Sequence, residues 1–230
     1  MAEESKAVEE VVDPLEFAPE KDVLSQFDGE WQDTTAAIKK WDDKVAKLTE
    51  IAKACENVKI KSGNVEAFAA FLKKEVSNTN VNISMAAITA SASVAKGMKK
   101  DFNVGAKVLM GPVLLKYKEK RPMILEEIGK FCDAAINCAN LEDLAPEFIP
   151  MITNIAPGVK NGTIKWLEKA AQVTFIDVLQ RIMGELMPAM SKAIEDKDGT
   201  VRDSALHCMG ILKGRYGEAV MDKYLKNINP

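Results

Sequence analysis

The feature that most constrains this chain is a recurrence of apolar helical blocks, in pairs, roughly every forty residues. Ile83, Ile124, Val159 and Val201 occupy one register, at intervals of 41, 35 and 42 residues. Leu48, Ile88, Ile164 and Leu206 occupy a second register, five positions further along in each block. Within each block the apolar residues recur every three or four positions, the period of one helix face. A repeat near ~40–47 residues is that of HEAT helix pairs, and is longer than the ~34 of tetratricopeptide repeats. A pair of this size buries its inner face only against its neighbours, so the pairs stack into one solenoid. The reading is therefore all-α, an α-solenoid of about five to six HEAT-type helix pairs. Composition agrees: the chain is 47% hydrophobic but only 6% aromatic, and its wealth of Ala, Leu, Lys and Glu favours helix over strand. Almost no sheet is expected.

Taken in order, residues 1–21 read as an acidic, disordered lead. Seven acids stand there against Lys6 and Lys21, and Pro14 and Pro19 interrupt any helix. Residues 22–230 read as a single domain. Its helical blocks are expected near 22–28, 30–39 and 42–57, with Val45, Leu48, Ile51 and Cys55 inward in the last. A polar loop at 59–63 leads to a helix capped by Asn64, with Val65, Phe68, Phe71, Leu72 and Val76 inward. Later pairs are expected at 81–99, 102–117, 123–139, 141–153, 158–173, 174–194 and 201–213, with a last helix at 218–227. Trp31 and Trp166 fall on core faces.

The stretch 195–206, E-D-K-D-G-T-V-R-D-S-A-L, joins two apolar helices. Thr200 is expected to cap the second, with Asp203 in the capping-box position. Val201, Ala205, Cys208, Met209 and Leu212 then share a face. Arg202 sits in the first turn, where the helix dipole disfavours a cation. Two readings account for it: an ion pair with Asp196, Asp198 or an acid of the preceding repeat, or an acidic partner molecule.

Net charge is −3, and the lead carries it; without residues 1–21 the body holds 29 basic and 27 acidic residues. This balance argues against nucleic acid as a ligand. No run has the length of a membrane span. Cys55, Cys132, Cys138 and Cys208 show no metal-ligand spacing and read as small buried hydrophobes. His207, the only histidine, has no co-ligands spaced around it. With no phosphate loop and no nucleophile elbow, no catalytic residue, metal site or cofactor is assigned, and the chain is not read as an enzyme.

A solenoid of helix pairs puts every within-repeat turn on one edge. Here those turns carry Lys39, Lys40, Trp41 and Lys44; Asn78, Thr79 and Asn80; Lys118, Lys120 and Arg121; Asn154 and Lys160; Lys197 and Arg202. Four turns are basic and the second offers amide donors, whereas between-repeat turns carry acid such as Glu142 and Asp143. Such an edge suits a large acidic protein surface. Trp41 has two readings, a binding anchor or a staple closing the first repeat.

These turns, in order, resemble those of the TOG domain, the tubulin-binding HEAT module of the ch-TOG microtubule polymerase family. The residues carrying the resemblance are Lys40-Trp41, Asn78-Thr79-Asn80-Val81-Asn82-Ile83, Lys120-Arg121-Pro122, Pro157-Gly158-Val159-Lys160 with Trp166-Leu167, and Asp196-x-Asp198-x-x-Val201-Arg202-Asp203-x-Ala205. The resemblance implies a flat paddle that grips one curved αβ-tubulin heterodimer along the turn edge. By it, Trp41 packs on β-tubulin helped by Asn80 and Lys44, Lys120 and Arg121 lie midway, Lys160, Lys197 and Arg202 reach α-tubulin, and Lys40, Asn78 and Thr79 belong to the same tubulin-binding edge. It further implies a monomeric module of a longer protein that promotes microtubule growth and spindle assembly. Other microtubule regulators would be further partners, and the setting would be cytoplasmic: centrosome or spindle pole, kinetochores or microtubule ends. Lys44 stands where the family often has arginine, Ile155 where a lysine is common, and Gly162 falls inside a helix. The rival reading is a HEAT scaffold for another client, such as a phosphatase or a transport cargo.

Overall fold

The computed structural model describes residues 14–217 together with Met221. Ten α-helices occupy the described residues: α1 (Gly29–Ala37), α2 (Trp41–Ala54), α3 (Val65–Val76), α4 (Val81–Met98), α5 (Asn103–Leu114), α6 (Pro122–Cys138), α7 (Leu141–Ile152), α8 (Pro157–Val173), α9 (Ile176–Ile194) and α10 (Gly199–Tyr216). They form five antiparallel pairs in two layers. The even helices pack in series, α2 on α4, α4 on α6, α6 on α8 and α8 on α10; the odd helices do the same from α3 to α9. Each pair also packs across the layers, so one continuous apolar core runs from Val23 to Met221. The α-solenoid read from the repeat is the fold observed, as a flat two-layered paddle.

Local chemistry places the elements where the periodicity put them. Asn64 Oδ1 accepts the backbone N–H of Ala67 and starts α3, whose Val65, Phe68, Phe71, Leu72 and Val76 are all buried. Trp166 is buried edge-on against Phe148, and Trp31 lies edge-on to Phe27 and Phe71. All four cysteines are buried and unpaired. Burial pushes the thiols of Cys55, Cys138 and Cys208 up to about 12 and that of Cys132 higher still. Since the thiolate is the reactive form, these are inert core residues.

Three expectations change. Ordered backbone begins before residue 22: Pro14–Phe17 is a short 3-10 turn, and Glu20–Lys21 (β1) pairs in parallel with Lys59–Ile60 (β2). The expected polar loop after α2 is thus partly a strand, because Ile60 is buried in the core and carries Lys59 and Lys61 to the ladder. Residues 1–13 of the lead, and all of the last helix expected at 218–227 except Met221, lie outside the described residues. Leu206 is 53% exposed, although Leu48, Ile88 and Ile164 of the same register are fully buried. Helix α4 is flanked by α2 and α6 and buries both registers. Among the described residues α10 packs on α8 and α9 and turns its second register outward.

Candidate binding edge

The five within-repeat turns span residues 38–40, 77–80, 115–121, 153–156 and 195–198. Because the even helices run parallel, all five helix N-termini emerge on one edge. Three turns share a local device. Asn78 Oδ1 accepts the N–H of Asn80, Asn154 Oδ1 that of Ala156, and Asp196 Oδ1 that of Asp198, at 2.9–3.0 Å. Each is an Asx turn delivering the chain to the helix N-cap two residues later. The N-caps themselves are Lys40, Asn80, Arg121, Ala156 and Asp198.

Adjacent turns are riveted together. Lys44, in the first turn of α2, is only 7% exposed; its Nζ donates to Ala36 O at 3.0 Å and pairs with Glu75 of α3 at 3.4 Å. Lys116 Nζ crosses from the third turn to the carbonyl of Asn78 in the second, 2.7 Å away. Burial and the neighbouring Lys118 hold the Lys116 ammonium below its usual pKa. Tyr117 lies across the start of α8: a Cβ on Gly158 would come within 2.6 Å of its carbonyl oxygen, and one on Gly162 within 2.4 Å of its ring. The missing side chain at Gly162 therefore leaves room on a continuous α8 for the Tyr117 ring. Lys160 pairs with Asp196 of the fifth turn. That bond, helped by the backbone N–H of Asp198, holds the Asp196 carboxyl below its ordinary value of 3.8.

The eleven candidate residues divide by burial and bonding. Lys40, Trp41, Thr79, Lys120, Arg121, Lys197 and Arg202 are exposed on the edge. Lys44 is not: it is a buried rivet, because α1 closes over the start of α2 and leaves its ammonium no water. Lys160 is largely consumed by Asp196. Asn78 and Asn80 spend their carboxamide oxygens on turn and cap, the latter accepting the N–H of Asn82, so each offers only its NH2 outward. Thr200 is not the cap of α10. Asp198 is: its Oδ1 accepts from the N–H groups of Thr200 and Val201 and from the Thr200 hydroxyl, and these bonds lower its pKa. Among the described residues Arg202 pairs with no carboxylate; its Nη1 donates to the carbonyls of Asp196 and Lys197 at 2.8 and 3.1 Å. The guanidinium is thereby braced at the rim, and its other donors make no bond among the described residues.

Trp41 is 49% exposed. Its indole walls a 370 Å³ cleft with Val45, Met85 and Ala86 between α2 and α4. This is anchor geometry: a large apolar face beside a concavity, with Lys40 next to it. Lys40 itself is held by Asp42 at 3.2 Å. Two apolar side chains outside the eleven candidates also stand on the edge, Met123 at the start of α6 and Ile155 in the fourth turn, the latter 95% exposed. The rivets Glu75, Lys116 and Tyr117 were likewise missed; only the Asx-x-cap spacing, at 78/80, 154/156 and 196/198, was open to a reading of sequence.

Among the described residues no group of His, Cys, Asp and Glu is placed to hold a metal, and no helix is long and apolar enough to cross a membrane. His207 lies 3.1 Å from Glu168.

No family model matches the chain. It is 26% identical to protein mini spindles of Drosophila melanogaster over 231 residues, covering 99% of this chain and 11% of that protein. It is 24% identical to centrosomal protein 224 of Dictyostelium discoideum, covering 97% and 11%, and 24% identical to spindle pole body component alp14 of Schizosaccharomyces pombe, covering 94% and 27%. The chain thus spans about a tenth to a quarter of the length of these relatives. Among solved structures it superposes with a TM-score of 0.83 and 26% identity on one from work on microtubule plus-end tracking by XMAP215, CLIP-170 and EB1, covering 95% of this chain and 90% of that one. With a TM-score of 0.81 and 22% identity it superposes on one from work on tubulin recruitment by microtubule polymerases with TOG domain arrays, covering 94% and 46%.

Proposed function

We propose that this chain, which has the TOG-domain fold and is similar to the mini spindles and XMAP215 proteins along nearly its whole length, binds the αβ-tubulin heterodimer through its within-repeat edge. The observation that carries the reading is the row of five riveted turns with Trp41 at one end, Lys120 and Arg121 in the middle and Lys197 and Arg202 at the other. Tubulin in this reading meets Trp41 and the adjacent cleft through an apolar contact, and meets the cations through its acidic surface. Rivets keep the spacing fixed, so the edge is complementary to one curvature of the dimer. A binder with unequal affinity for curved free dimer and straight lattice shifts subunits toward the form it prefers and lets go of the other. Linked to further modules in a longer protein, it would raise the local tubulin concentration. The role is binding, not catalysis, within a regulator that promotes microtubule growth and spindle assembly. The names of its relatives, a centrosomal protein and a spindle pole body component, support a place on the cytoskeleton.

The test is size-exclusion co-elution of the chain with unpolymerised αβ-tubulin. Trp41→Ala with Arg202→Ala should abolish co-elution while helical circular dichroism stays unchanged, since both residues are exposed. Each truncation at such an anchor is worth about 2 kcal/mol or more, roughly a 30-fold loss. Unchanged co-elution by the double variant would reject the edge as the binding surface.

A further inference from the structure

A second concavity lies elsewhere. A groove of about 1210 Å³ runs along the outer face of the even layer between α4 and α6, toward the between-repeat turn at 99–102. Five lysines line it, Lys59, Lys96, Lys99, Lys100 and Lys130, against Asp101, Glu127 and Asp133. Glu127 is already engaged by Lys130 and by the Thr89 hydroxyl. Lys59, Lys96 and Lys100 are exposed and make no ion pair among the described residues. Leu15 is also part of the wall. Leu15 stands near the start of the described residues, and the sequence before it is strongly acidic: Glu3, Glu4, Glu9, Glu10 and Asp13 stand against Lys6 alone.

We infer that this groove is an acidic-peptide site and that residues 3–13 of the same chain are its occupant. Three observations converge. Charge is complementary, with a run of carboxylates facing unpaired lysines on low-dielectric walls. Reach is sufficient. Glu10 lies five residues from Leu15, so an extended chain spans up to about 17 Å, whereas the Thr89–Met98 stretch of α4 along the groove is about 14 Å long. Tethering is direct: with Leu15 in the wall, the acidic residues are held at an effective concentration on the order of millimolar, which a weak electrostatic contact can use. The lead thereby occupies the groove against any other acidic segment, at the end of the paddle away from the within-repeat turns. The inference does not depend on the tubulin reading.

Carbodiimide treatment of the full chain, which joins carboxylates to amines in direct contact, tests it. The monomer should yield links from Glu9, Glu10 or Asp13 to Lys59, Lys96 or Lys100. These should disappear near 1 M salt, where the screening length falls to about 3 Å. In a second measurement, a fluorescent peptide of residues 1–13 is titrated in trans. It should bind the variant Glu3→Gln/Glu4→Gln/Glu9→Gln/Glu10→Gln at least ~10-fold more tightly than the unmodified chain, because the tethered competitor no longer holds the groove. Adding Lys96→Glu/Lys100→Glu to that variant should remove the gain with helicity intact. Links to Lys40, Lys120 or Lys197 instead, links only in a covalent dimer, or equal peptide affinity in both chains would each overturn the proposal. The dimer result would assign the groove to a second copy.

Discussion

The two long edges of the paddle treat charge in opposite ways. On the between-repeat edge, cations are neutralised at the surface: Lys107 pairs with Asp143 at 3.0 Å, and Arg181 with both Glu142 and Asp177. From α7 to α9 what stays uncovered there is apolar, with Val173, Phe175 and Ile176 exposed, whereas at the groove Lys59, Lys96 and Lys100 stay exposed. On the within-repeat edge, some cations are pulled inward as cross-braces, Lys44 to Glu75, Lys116 to Asn78 O and Lys160 to Asp196. Others are left outside, Lys40, Lys120, Arg121, Lys197 and Arg202. The α5–α9 stretch of the first edge is electrostatically closed, and the second is stiffened by one set of charges so that it can present another.

The strongest way to break this contrast is to remove a brace from the interior. Glu75→Ala leaves the Lys44 ammonium buried beside one carbonyl, and should lower unfolding free energy by about 3–5 kcal/mol in urea denaturation. The double variant Lys44→Met/Glu75→Leu should recover most of that, since a buried ion pair and a packed apolar pair are close in stability. Equal losses in both would show that Lys44 is not a brace but only a space-filler.

A smaller effect sharpens the contrast at the opposite end of the same edge. Asp196→Asn retains the Asx turn but loses the carboxylate charge that pairs with Lys160, and should reduce stability at pH 6 by about 1 kcal/mol, the bond being partly solvated. The sign of its pH dependence follows from the depressed pKa of Asp196. Its contribution is fully present above the unfolded value of 3.8 and is lost as pH falls through the lower folded value. Melting curves between pH 6 and pH 2.5 should therefore fall less steeply for Asp196→Asn than for the unmodified chain. Parallel curves would mean that the pair contributes nothing.

The least effect is expected on the closed edge. Arg181→Ala breaks two exposed pairs, 56% and 45–65% exposed at their side chains, and should leave the melting temperature within the reproducibility of a thermal scan. A large drop there would erase the distinction between the two edges.

Much of this architecture was legible residue by residue. The registers of Ile83, Ile124, Val159 and Val201 are buried as their spacing requires, Asn64 caps where its side chain can accept, and Trp166 is core. The candidate edge was legible as a row of turns, because an up-and-down succession of helix pairs leaves no other place for them. What it does with its residues was not. Lys40 and Lys44 are near neighbours in sequence, yet one lies at the rim and the other is sealed beneath α1. Asp198, not Thr200, caps α10, because the helix begins one residue after Asp198 and leaves Thr200 inside its first turn.

By itself, then, the sequence determined the helices, their pairing and the side of the molecule on which the turns emerge. These follow from a 3.6-residue period and short connections, both properties of adjacent positions. Only the tertiary structure decided which cations become braces and which stay free. That choice depends on whether a neighbouring repeat removes the ammonium from water and supplies an acceptor, and the acceptor lies 31 to 38 residues away in the chain.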